Sequence, residues 1–561
     1  MHGVLHSLAE IANSAGITDV VICPGSRSAP LVLAFVRHGA FKSHVFSDER
    51  SAAFIALGMA QRTARPVVLI STSGSAAYNF APAIAEAFFQ QIPLLILTAD
   101  RPREWIDQLD GQTIRQTNIF SGHVKRAWEL NADYTHADSA WFAQRTFSEA
   151  IYTAEDAAPG PVHINFPFRE PLYPISGSPI PEVPHRFIKS QAPVMTPSPQ
   201  EMDELRYRLK AFDRILVVAG QGVHNNPLRQ AVVQFTEHHQ AVLVGDVLSN
   251  FHTAVQTVRH ADGFLGALDS DRQATLAPDL LITFGLSVIS KNLKQFLRRH
   301  RPTEHWHLQP IGMAPDTFQS LTRIVRTDPV WFFTHASAQH TESKNTAYRA
   351  HWLALESGTA TAVKRFFDAT PSPSEFGAVH ELLAHLPENS TLHLANSMPV
   401  RYANFIGLRH HQDVRVHANR GTSGIDGCTS TALGHALADQ HTQVLLTGDV
   451  AFFYDSNAFW HDEPFPNLRI ILLNNHGGGI FGLIDGPGNL PELPAYFITN
   501  QVRNARALCA EFGIRYERYS TPGQWSGFFA GDGPALMEIE STTEQNKIIF
   551  HSFKQYLTSA V

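Results

Sequence analysis

The sequence predicts an α/β protein with three consecutive domains, each built on an open, mostly parallel sheet. Short apolar runs rich in β-branched residues alternate with helical stretches, which is typical of parallel strands joined by crossover helices. Two breaks divide the 561 residues into three blocks of this kind. Each block fits the roughly 100–200 residues expected of one domain.

Both breaks contain prolines. Eight prolines lie between Pro171 and Pro199, too many for a helix or a central strand. The second break lies near Thr370-Pro-Ser-Pro-Ser374 and follows a polar stretch that begins around Ala336. We therefore expect three domains, at about residues 1–185, 190–335 and 370–561.

Apolar runs place candidate strands in every block. They are Asp19–Cys23, Val67–Thr72 and Leu94–Thr98 in the first block, Ile215–Ala219, Ala241–Val244 and Leu280–Phe284 in the middle block, and Val444–Thr447 and Arg469–Leu473 in the last. The outer blocks also resemble each other, since each has a strand, a helical stretch, a proline and a second strand. This likeness is expected of any two βαβ units, or it marks two related domains that hold one cofactor between them.

Composition argues against several classes of protein. The formal net charge is −7 with no long basic run, so a nucleic-acid-binding surface is not expected. The three cysteines, Cys23, Cys428 and Cys509, lie too far apart to indicate a disulfide framework or a cysteine zinc site. We expect no signal peptide and no membrane span, because the apolar runs are much shorter than the ~20 residues that cross a bilayer. The expected location is cytoplasmic.

The most informative pattern joins Gly448-Asp449, at one predicted strand end, to Asn474-Asn475, at the end of a later strand. Asp449 and Asn475 are 26 positions apart (475 − 449). Ligands of open α/β sheets bind beyond the carboxyl ends of the strands. Carboxylate and amide oxygens suit Mg²⁺, with Mn²⁺ as an alternative, holding a diphosphate. The competing interpretation is that Asp449 only caps the next helix.

A Gly-Asp pair followed at this spacing by Asn-Asn is the motif of thiamine-diphosphate enzymes. Gly477 and Gly478 come next, and their backbone can approach a cofactor closely, with a carbonyl of Gly477 as a metal ligand. Such enzymes also need a distant carboxylate that hydrogen-bonds the aminopyrimidine ring of the cofactor. Glu49 meets this need in the first turn of a helix predicted to begin at Ser47-Asp48, although acidic residues there often only complement the helix dipole.

Six segments together resemble the 2-succinyl-5-enolpyruvyl-6-hydroxy-3-cyclohexene-1-carboxylate synthase (MenD) family of thiamine-diphosphate-dependent enzymes. The resemblance runs from residue 23 to residue 481, and the three-block organisation accounts for nearly all of the chain. The segments are Cys23-Pro-Gly-Ser-Arg-Ser-Ala-Pro-Leu31, Asp48-Glu-Arg-Ser-Ala-Ala-Phe54, Ala99-Asp-Arg-Pro102, Gln112-Thr-Ile-Arg-Gln116, Asn419-Arg-Gly-Thr-Ser-Gly-Ile-Asp-Gly427 and Asn474-Asn-His-Gly-Gly-Gly-Ile-Phe481.

The resemblance implies a transferase reaction in two halves. The thiazolium carbanion of thiamine diphosphate attacks the keto carbon of 2-oxoglutarate, and the ring accepts electrons as CO₂ leaves. The succinyl-semialdehyde carbanion equivalent then adds to isochorismate, a step of menaquinone biosynthesis. Glu49 and Asp449 are 400 positions apart (449 − 49), so the cofactor must lie at a domain interface. In the family that interface is made between two chains, so we expect a homodimer or homotetramer.

The resemblance also assigns site residues. Both substrates carry two carboxylates, and arginine can bind a carboxylate through two parallel hydrogen bonds. The positions that match substrate-contacting residues of the family are Ser26, Arg27, Arg101, Gln112, Lys291, Ser397, Arg401 and Arg420. Some family members have an arginine after the lysine that matches Lys291, where this chain has Asn292. The resemblance therefore leaves one possible cation for isochorismate absent.

Apolar positions are assigned in the same way. Ile425 matches the bulky residue that forces the cofactor into its bent form. Ile480, Phe481 and Ile484 would wall the site and exclude water from the carbanion, with ordinary core packing as the alternative for Ile484. The resemblance thus gives Glu49 as the catalytic residue and Asp449, Asn475 and Gly477 as the metal ligands.

Three other functions compete with this interpretation. An acetolactate synthase or a simple 2-oxo acid decarboxylase handles smaller substrates and needs fewer carboxylate-binding residues than Arg27, Arg401 and Arg420 provide. A nucleotide- or flavin-binding protein could use Val217–Gly222 in the middle block, but no GxGxxG pattern opens a helix there. A noncatalytic homologue would not need Glu49, Asp449 and Asn475 together.

Overall fold

The structure, a computed structural model, describes residues 1–175, 182–191, 194–337, 346–369, 374–409, 412–483, 488, 490–521 and 523–561. Its strands form three six-stranded parallel sheets, which confirms the predicted fold class. All eight predicted strands are present, with ends shifted by up to two residues. No described helix is long and apolar enough to span a membrane.

The first sheet has the strand order β2-β1-β3-β4-β6-β5. Its strands β3 and β4 are buried along their whole length, as expected of central parallel strands covered on both faces. The strands are β1 Asp19–Ile22, β2 Lys42–Val45, β3 Val67–Ser71, β4 Leu94–Asp100, β5 Ala127–Glu129 and β6 Val162–Pro167. The helices are α1 His2–Ser14, α2 Ala29–Val36, α3 Glu49–Thr63, α4 Ser75–Asn79, α5 Ala81–Gln90 and α6 Ala137–Glu155.

The second sheet has the order β12-β11-β10-β7-β8-β9. Its first helix, α7, begins at Pro199, the last proline of the predicted break, and Ser198 and Glu201 form a capping box there. The strands are β7 Ile215–Ala219, β8 Val242–Gly245, β9 Thr257–Val258, β10 Leu280–Phe284, β11 Glu304–Leu308 and β12 Arg323–Val325. The helices are α7 Pro199–Leu209, α8 Asn226–His238, α9 Ala261–Ala267, α10 Ser270–Thr275, α11 Lys291–Arg299, α12 Pro329–Ala336 and α13 Thr346–Ala369.

The third sheet has the order β14-β13-β15-β16-β18-β17. The strands are β13 Ser390–Leu394, β14 Val414–His417, β15 Gln443–Gly448, β16 Leu468–Asn474, β17 Arg515–Arg518 and β18 Ala535–Glu540. The helices are α14 Glu375–Ala384, α15 Met398–Ile406, α16 Cys428–Ala438, α17 Asp449–Tyr454, α18 Arg506–Glu511, α19 Gln524–Ala530 and α20 Thr543–Ala560. Because β15 and β16 are neighbours, the residues that follow them lie at one edge of the sheet.

The chain divides into two compact units. The first contains residues Met1–Ala192 together with Asn419–Gln440 and Ala451–Leu468. The second contains Pro193–Ala418, His441–Val450 and Arg469–Val561, and therefore the second and third sheets. Each unit has its own buried apolar cores.

Helices α3 and α16 pack closely within the first unit. A Cβ on Gly58 would lie 2.2 Å from the carbonyl oxygen of Thr431, and one on Gly434 would lie 2.1 Å from that of Ile55. Real side chains cannot occupy such positions, so glycine allows the two backbones to touch. This packing fixes the helix that carries Glu49.

Candidate active site

Glu49 is the first residue of α3, as the sequence predicts. Asp48 caps the helix, because its Oδ1 accepts the Ser51 N–H at 2.9 Å, and its Oδ2 accepts from Asn457 Nδ2 at 2.8 Å. The Glu49 carboxylate accepts a hydrogen bond from Asn79 Nδ2 at 3.1 Å. The helix start therefore holds Glu49 in a defined place, and its carboxylate remains partly exposed.

Two of the predicted substrate arginines of the first unit meet at one carboxylate. Arg27 Nη2 and Arg101 Nη1 lie 3.5 Å and 3.9 Å from the same oxygen of Glu170. Arg27 is almost completely buried and also donates to the Phe168 carbonyl at 3.1 Å. The structure therefore brings Arg27 and Arg101 together, as a pair that can bind a carboxylate.

Ser26 and Gln112 belong to the same unit. Ser26 lies in the loop between β1 and α2, next to Arg27, and is exposed. Gln112 is exposed as well, and its backbone lies beside Gly74, which follows β3. Both residues therefore lie in loops that follow strands of the first sheet and can contact a small molecule.

A buried amide network that sequence reasoning missed supports these loops. Gln116 Oε1 accepts the Gly74 N–H at 2.8 Å, and its Nε2 donates to the Ala99 carbonyl at 3.0 Å. Asn165 Nδ2 donates to Asp100 at 2.8 Å. Burial raises the pKa of Asp100 to about 6, against the hydrogen bond from Asn165. Gln116 thus fixes the loops after β3 and β4 relative to each other.

The loop that carries Arg420 and Ile425 is held by Glu86, a residue of α5. Its two carboxylate oxygens accept the backbone N–H groups of Gly421 and Thr422 at 2.7 Å and 2.6 Å. Glu86 is 1% exposed, so these charge-assisted bonds are shielded from water. The predicted residues Arg420 and Ile425 are both partly exposed in the first unit.

Two of the three predicted metal ligands, Asp449 and Asn475, follow neighbouring strands in the second unit. Asp449 comes directly after β15 and begins α17, and Asn475 comes directly after β16. Asp449 is 2% exposed, and burial raises the pKa of its carboxyl group. Gln501 Nε2 donates to Asp449 Oδ2 at 2.7 Å. Asp449 is thus a buried carboxylate in the position where ligands of such sheets bind.

Among the described residues, only the nitrogen of the Asn475 side-chain amide makes a hydrogen bond. Its Nδ2 donates to Glu375 Oε1 at 2.9 Å, whereas its Oδ1 is buried and has no hydrogen-bond partner among the described residues. A buried polar atom without a hydrogen-bond partner calls for an explanation, and a role as a ligand of an ion is one of the ordinary explanations. An amide oxygen at the end of β16 and a carboxylate at the end of the neighbouring strand β15 are donors that suit Mg²⁺.

The backbone of Gly477 and Gly478, which form the glycine loop after Asn475, lies close to the carbonyl oxygen of Ile498. A Cβ on Gly477 would lie 2.7 Å from the Ile498 carbonyl oxygen, and Gly478 donates its N–H to the same oxygen at 2.7 Å. The backbone N–H of Gly477 also lowers the pKa of the Asp449 carboxyl group. Glycine is required for this approach, which places the backbone of the loop next to Asp449.

Glu375 is a further buried acid that sequence reasoning missed. It begins α14 and is fully buried, and burial raises its pKa to about 7. Hydrogen bonds from Asn475 and Ser541 act in the opposite direction, while the charge of Asp449 raises the pKa further. No sequence pattern marks Glu375 as a functional residue, because an acidic residue in the first turn of a helix is common.

Ser397 and Arg401 lie one helical turn apart at the start of α15. Ser397 has a φ of 74°, a conformation that is unfavourable for a residue other than glycine, and its side chain makes no cap hydrogen bond to the helix. Arg401 Nη1 donates to the Ser397 carbonyl at 2.5 Å. Strained backbone of this kind clusters at functional sites, which supports the predicted role of Ser397.

Lys291 is the first residue of α11 and is exposed, after the capping residue Ser290. Its neighbour Asn292 faces the interior: Nδ2 donates to the Asp262 carbonyl at 2.7 Å, and the backbone N–H donates to Asp262 Oδ1 at 2.8 Å. A Cβ on Gly266 would lie 2.4 Å from Asn292 Nδ2. In this chain the position next to Lys291 therefore serves packing between α9 and α11.

The predicted wall residues lie after the glycine loop. Ile480 packs against the core of the third sheet and is partly buried, and Phe481 contacts the ring of Phe497 with a centroid distance of 5.9 Å. Ile484 lies outside the described residues. Among the described residues, no group of three or more His, Cys, Asp and Glu side chains could hold a metal ion. A metal at Asp449 must therefore rely on amide, backbone and ligand oxygens.

The carboxyl edge of the second sheet, where a nucleotide would bind, is filled by the chain itself. Gln221 follows β7, and its Nε2 donates to the Ala418 carbonyl at 3.0 Å. Asn250 exchanges two hydrogen bonds with the backbone of Val416, at 3.0 Å and 2.8 Å. A Cβ on Gly220 would lie 2.2 Å from the Leu286 carbonyl. These contacts argue against the nucleotide- or flavin-binding alternative.

Comparison with known proteins agrees with this geometry. Residues 3–120 match the family described as thiamine pyrophosphate enzyme, N-terminal TPP binding domain, and residues 186–394 match the middle domain of thiamine pyrophosphate enzymes. The chain is 41% identical to a 2-succinyl-5-enolpyruvyl-6-hydroxy-3-cyclohexene-1-carboxylate synthase of Cytophaga hutchinsonii, over 98% of both chains. Proteins of the same name from Porphyromonas gingivalis and Bacteroides thetaiotaomicron are 37% and 34% identical, over 98% of this chain and 96% and 98% of theirs.

Proposed function

This chain belongs to the 2-succinyl-5-enolpyruvyl-6-hydroxy-3-cyclohexene-1-carboxylate synthase family of thiamine-diphosphate-dependent enzymes, and we propose how its residues carry out that reaction. The enzyme decarboxylates 2-oxoglutarate and adds the remaining four-carbon unit to isochorismate in menaquinone biosynthesis. When bound, thiamine diphosphate supplies a nucleophilic carbon and an electron sink for the decarboxylation.

The observation that carries the proposal is the buried, unpartnered Oδ1 of Asn475 at the strand end next to Asp449. Asp449, Asn475 and the carbonyl of Gly477 would hold Mg²⁺, or Mn²⁺, against the diphosphate of the cofactor. Gly478 would offer its backbone to the same group. Hard oxygen donors of this kind suit a divalent cation that keeps water and phosphate ligands.

Glu49 would hydrogen-bond the aminopyrimidine ring and so move the proton that activates the cofactor. Its partly exposed carboxylate at the start of a rigid helix fits that task, since a proton-transfer group needs a fixed position. Ile425, on the loop held by Glu86, would support the bent form of the cofactor.

The cations would bind the carboxylates of the two substrates. Arg27 and Arg101 already share one carboxylate in the structure, that of Glu170, so they can orient another. The other residues proposed to contact the substrates are Ser26, Gln112, Lys291, Ser397, Arg401 and Arg420. Ile480 and Phe481 would exclude water from the reacting carbon, and Ile484 is assigned the same role from the sequence.

We further propose that residues 1–185 form the pyrimidine-binding domain, 190–335 the central domain and 370–561 the diphosphate- and metal-binding domain. The cofactor would join residues of the first and last of these, in a homodimer or homotetramer in which two chains complete each site. Support comes from the family and from the separation of Glu49 and Asp449 in sequence. A cytoplasmic location stays a prediction.

The proposal is tested by supplying 2-oxoglutarate and pyruvate separately, with magnesium and thiamine diphosphate, and measuring CO₂ release. We expect release from 2-oxoglutarate, and formation of the coupled product only when isochorismate is added. Arg27→Gln should raise the KM for 2-oxoglutarate, because a buried cation is lost. The control Arg145→Gln, in a half-exposed ion pair with Glu149, should leave the KM unchanged. Release of CO₂ from pyruvate alone would contradict the proposal.

A further inference from the structure

The side-chain amide of Asn475 is held in one orientation. Its Nδ2 donates to Glu375 Oε1 at 2.9 Å, while Oδ1 has no hydrogen-bond partner among the described residues. Oε1 of Glu375 is the acceptor in this bond, so Glu375 engages the nitrogen end of the amide. The oxygen end must then point away from Glu375.

Glu375 is itself fixed by several groups. Ser541 Oγ donates to its Oε1 at 3.1 Å and Tyr402 donates its O–H to Oε2 at 3.4 Å. The backbone N–H of Glu375 donates to Asn546 Oδ1 at 3.3 Å, and Asn546 Nδ2 donates to Ser541 Oγ at 2.8 Å. The carboxylate is completely buried, so this arrangement leaves it no freedom to follow Asn475 if the amide turns.

We propose that Glu375 is a positioning residue for the divalent cation, because it orients Asn475 so that the amide oxygen is presented to the metal. This inference rests on the proposed function, which makes Asn475 a metal ligand. Groups that hydrogen-bond a metal ligand on the side away from the metal commonly fix the orientation of that ligand and tune the affinity for the metal. Glu375 has that relationship to Asn475, because its Oε1 accepts from the Asn475 amide nitrogen.

A purely structural role for Glu375 makes a different prediction. If the carboxylate only anchors α14 in the core, its replacement destabilises the chain whether or not a metal is bound. If it acts through Asn475, its replacement weakens metal binding in a chain that is still folded. Metal affinity therefore separates the two roles, and it is a readout that does not depend on enzyme activity.

The experiment is a titration of the full-length, metal-free chain with Mn²⁺ at saturating thiamine diphosphate, in which free Mn²⁺ is measured by electron paramagnetic resonance. Glu375→Gln should weaken Mn²⁺ binding about tenfold, the lower part of the range seen when such supporting groups are changed. The matched control is Glu381→Gln on the same helix, whose carboxylate accepts from Tyr519 at 2.7 Å and Trp525 at 3.3 Å. It should bind Mn²⁺ within about a factor of two of the parent.

A double-mutant cycle tests whether Glu375 acts through Asn475. In an Asn475→Ala background, Glu375→Gln should change Mn²⁺ affinity by less than about a factor of two, because the amide that Glu375 orients is gone. An effect as large as that in the parent would overturn the inference. So would an unchanged Mn²⁺ affinity for folded Glu375→Gln.

Two other results of the Mn²⁺ titration also test the inference. Should Glu375→Gln not fold, Glu375→Asp takes its place, since it keeps the charge but draws the carboxylate back by one methylene. It should weaken Mn²⁺ binding at least severalfold, and unchanged binding would overturn the inference. A parent chain that binds no Mn²⁺ with thiamine diphosphate would refute the proposed function and this inference together, whereas normal binding by parent and variant refutes this inference alone.

Discussion

The Oε1 atom of Glu86 accepts a hydrogen bond from the backbone N–H of Gly421 at 2.7 Å, although the two residues are 335 positions apart. Glu86 Oε2 accepts both the N–H and the hydroxyl of Thr422 at 2.6 Å. One buried carboxylate on α5 thus fixes the loop that contains Arg420 and Ile425, the residues proposed to bind substrate and to bend the cofactor.

Glu86→Gln should loosen that loop. A glutamine keeps the size of the side chain but turns an NH₂ group toward backbone N–H donors, which leaves at least one of them without an acceptor. We expect a loss of stability of about 1–3 kcal/mol, and a lower kcat/KM as well. Thermal unfolding and steady-state kinetics measure the two effects. The control is Glu104→Gln, in a half-exposed ion pair with Arg169, which should change neither the stability nor kcat/KM. If Glu86→Gln has the same kcat/KM as the parent, Glu86 does not hold the loop for catalysis.

The fold was largely predictable from the sequence because the eight predicted strands are apolar and mostly buried, as central parallel strands are. The strands that were not predicted carry polar residues. β2, Lys42–Val45, is mostly exposed, and β18 contains Glu538, a buried acid that bonds Asn474 at 2.6 Å. Apolar periodicity cannot reveal a strand whose buried position is occupied by a paired carboxylate.

The close packing of α3 on α16 predicts that its glycines cannot be replaced. Gly434→Ala places a methyl group 2.1 Å from the Ile55 carbonyl oxygen, so one of the helices must move. We expect a loss of about 1–3 kcal/mol, typical of overpacking, measured as a lower thermal midpoint. Gly358→Ala, in α13 with nothing within 4 Å of the added methyl group, should instead be neutral or stabilising by up to about 1 kcal/mol. Equal midpoints for the two variants would show that α3 and α16 are not in contact in solution.

A second stability prediction concerns His44, which lies between two carboxylates. Burial alone would lower its pKa, but the bonds to Asp19 at 3.1 Å and Glu463 at 2.5 Å raise it to about 9. The folded pKa lies above the ordinary value of 6.5, so the stabilisation is complete below about pH 6.5 and is lost as the pH rises through 9. At neutral pH it should be on the order of 2.5 kcal/mol.

His44→Gln should therefore lower the thermal midpoint at pH 7 by more than at pH 10. The exposed His136, replaced by glutamine, provides the control and should show no such difference. A His44→Gln deficit that is the same at both pH values would mean that the charge of His44 does not stabilise the first unit.

Asn292 is expected to be structural. An arginine there cannot keep the bond to the Asp262 carbonyl and would press on Gly266, so Asn292→Arg should cost about 1–3 kcal/mol in stability without lowering the KM for isochorismate. Thermal unfolding and a substrate titration check both parts. A lower KM for isochorismate would show instead that a cation at this position reaches the substrate.

The sequence predicted the site residues that directly follow strands. It did not predict the residues that hydrogen-bond those side chains. Asp449 and Asn475 could be found because their spacing marks two strand ends. Gln501 and Glu375 could not, since a glutamine outside regular structure and an acid in a first turn carry no distinguishing pattern. Glu86 did leave a signal, as the only acid in the apolar helix Ala81–Gln90. A lone acid in such a helix is expected to be buried and paired.

The most direct test of the account is the rate of CO₂ release from 2-oxoglutarate by Glu49→Gln, compared with the parent at saturating magnesium and thiamine diphosphate. The variant should bind thiamine diphosphate with unchanged affinity in a calorimetric titration. Its decarboxylation rate should fall by about 10²–10⁴-fold, the range supplied by a positioned proton-transfer group. A decarboxylation rate equal to that of the parent would contradict the assignment of Glu49 as the activating carboxylate.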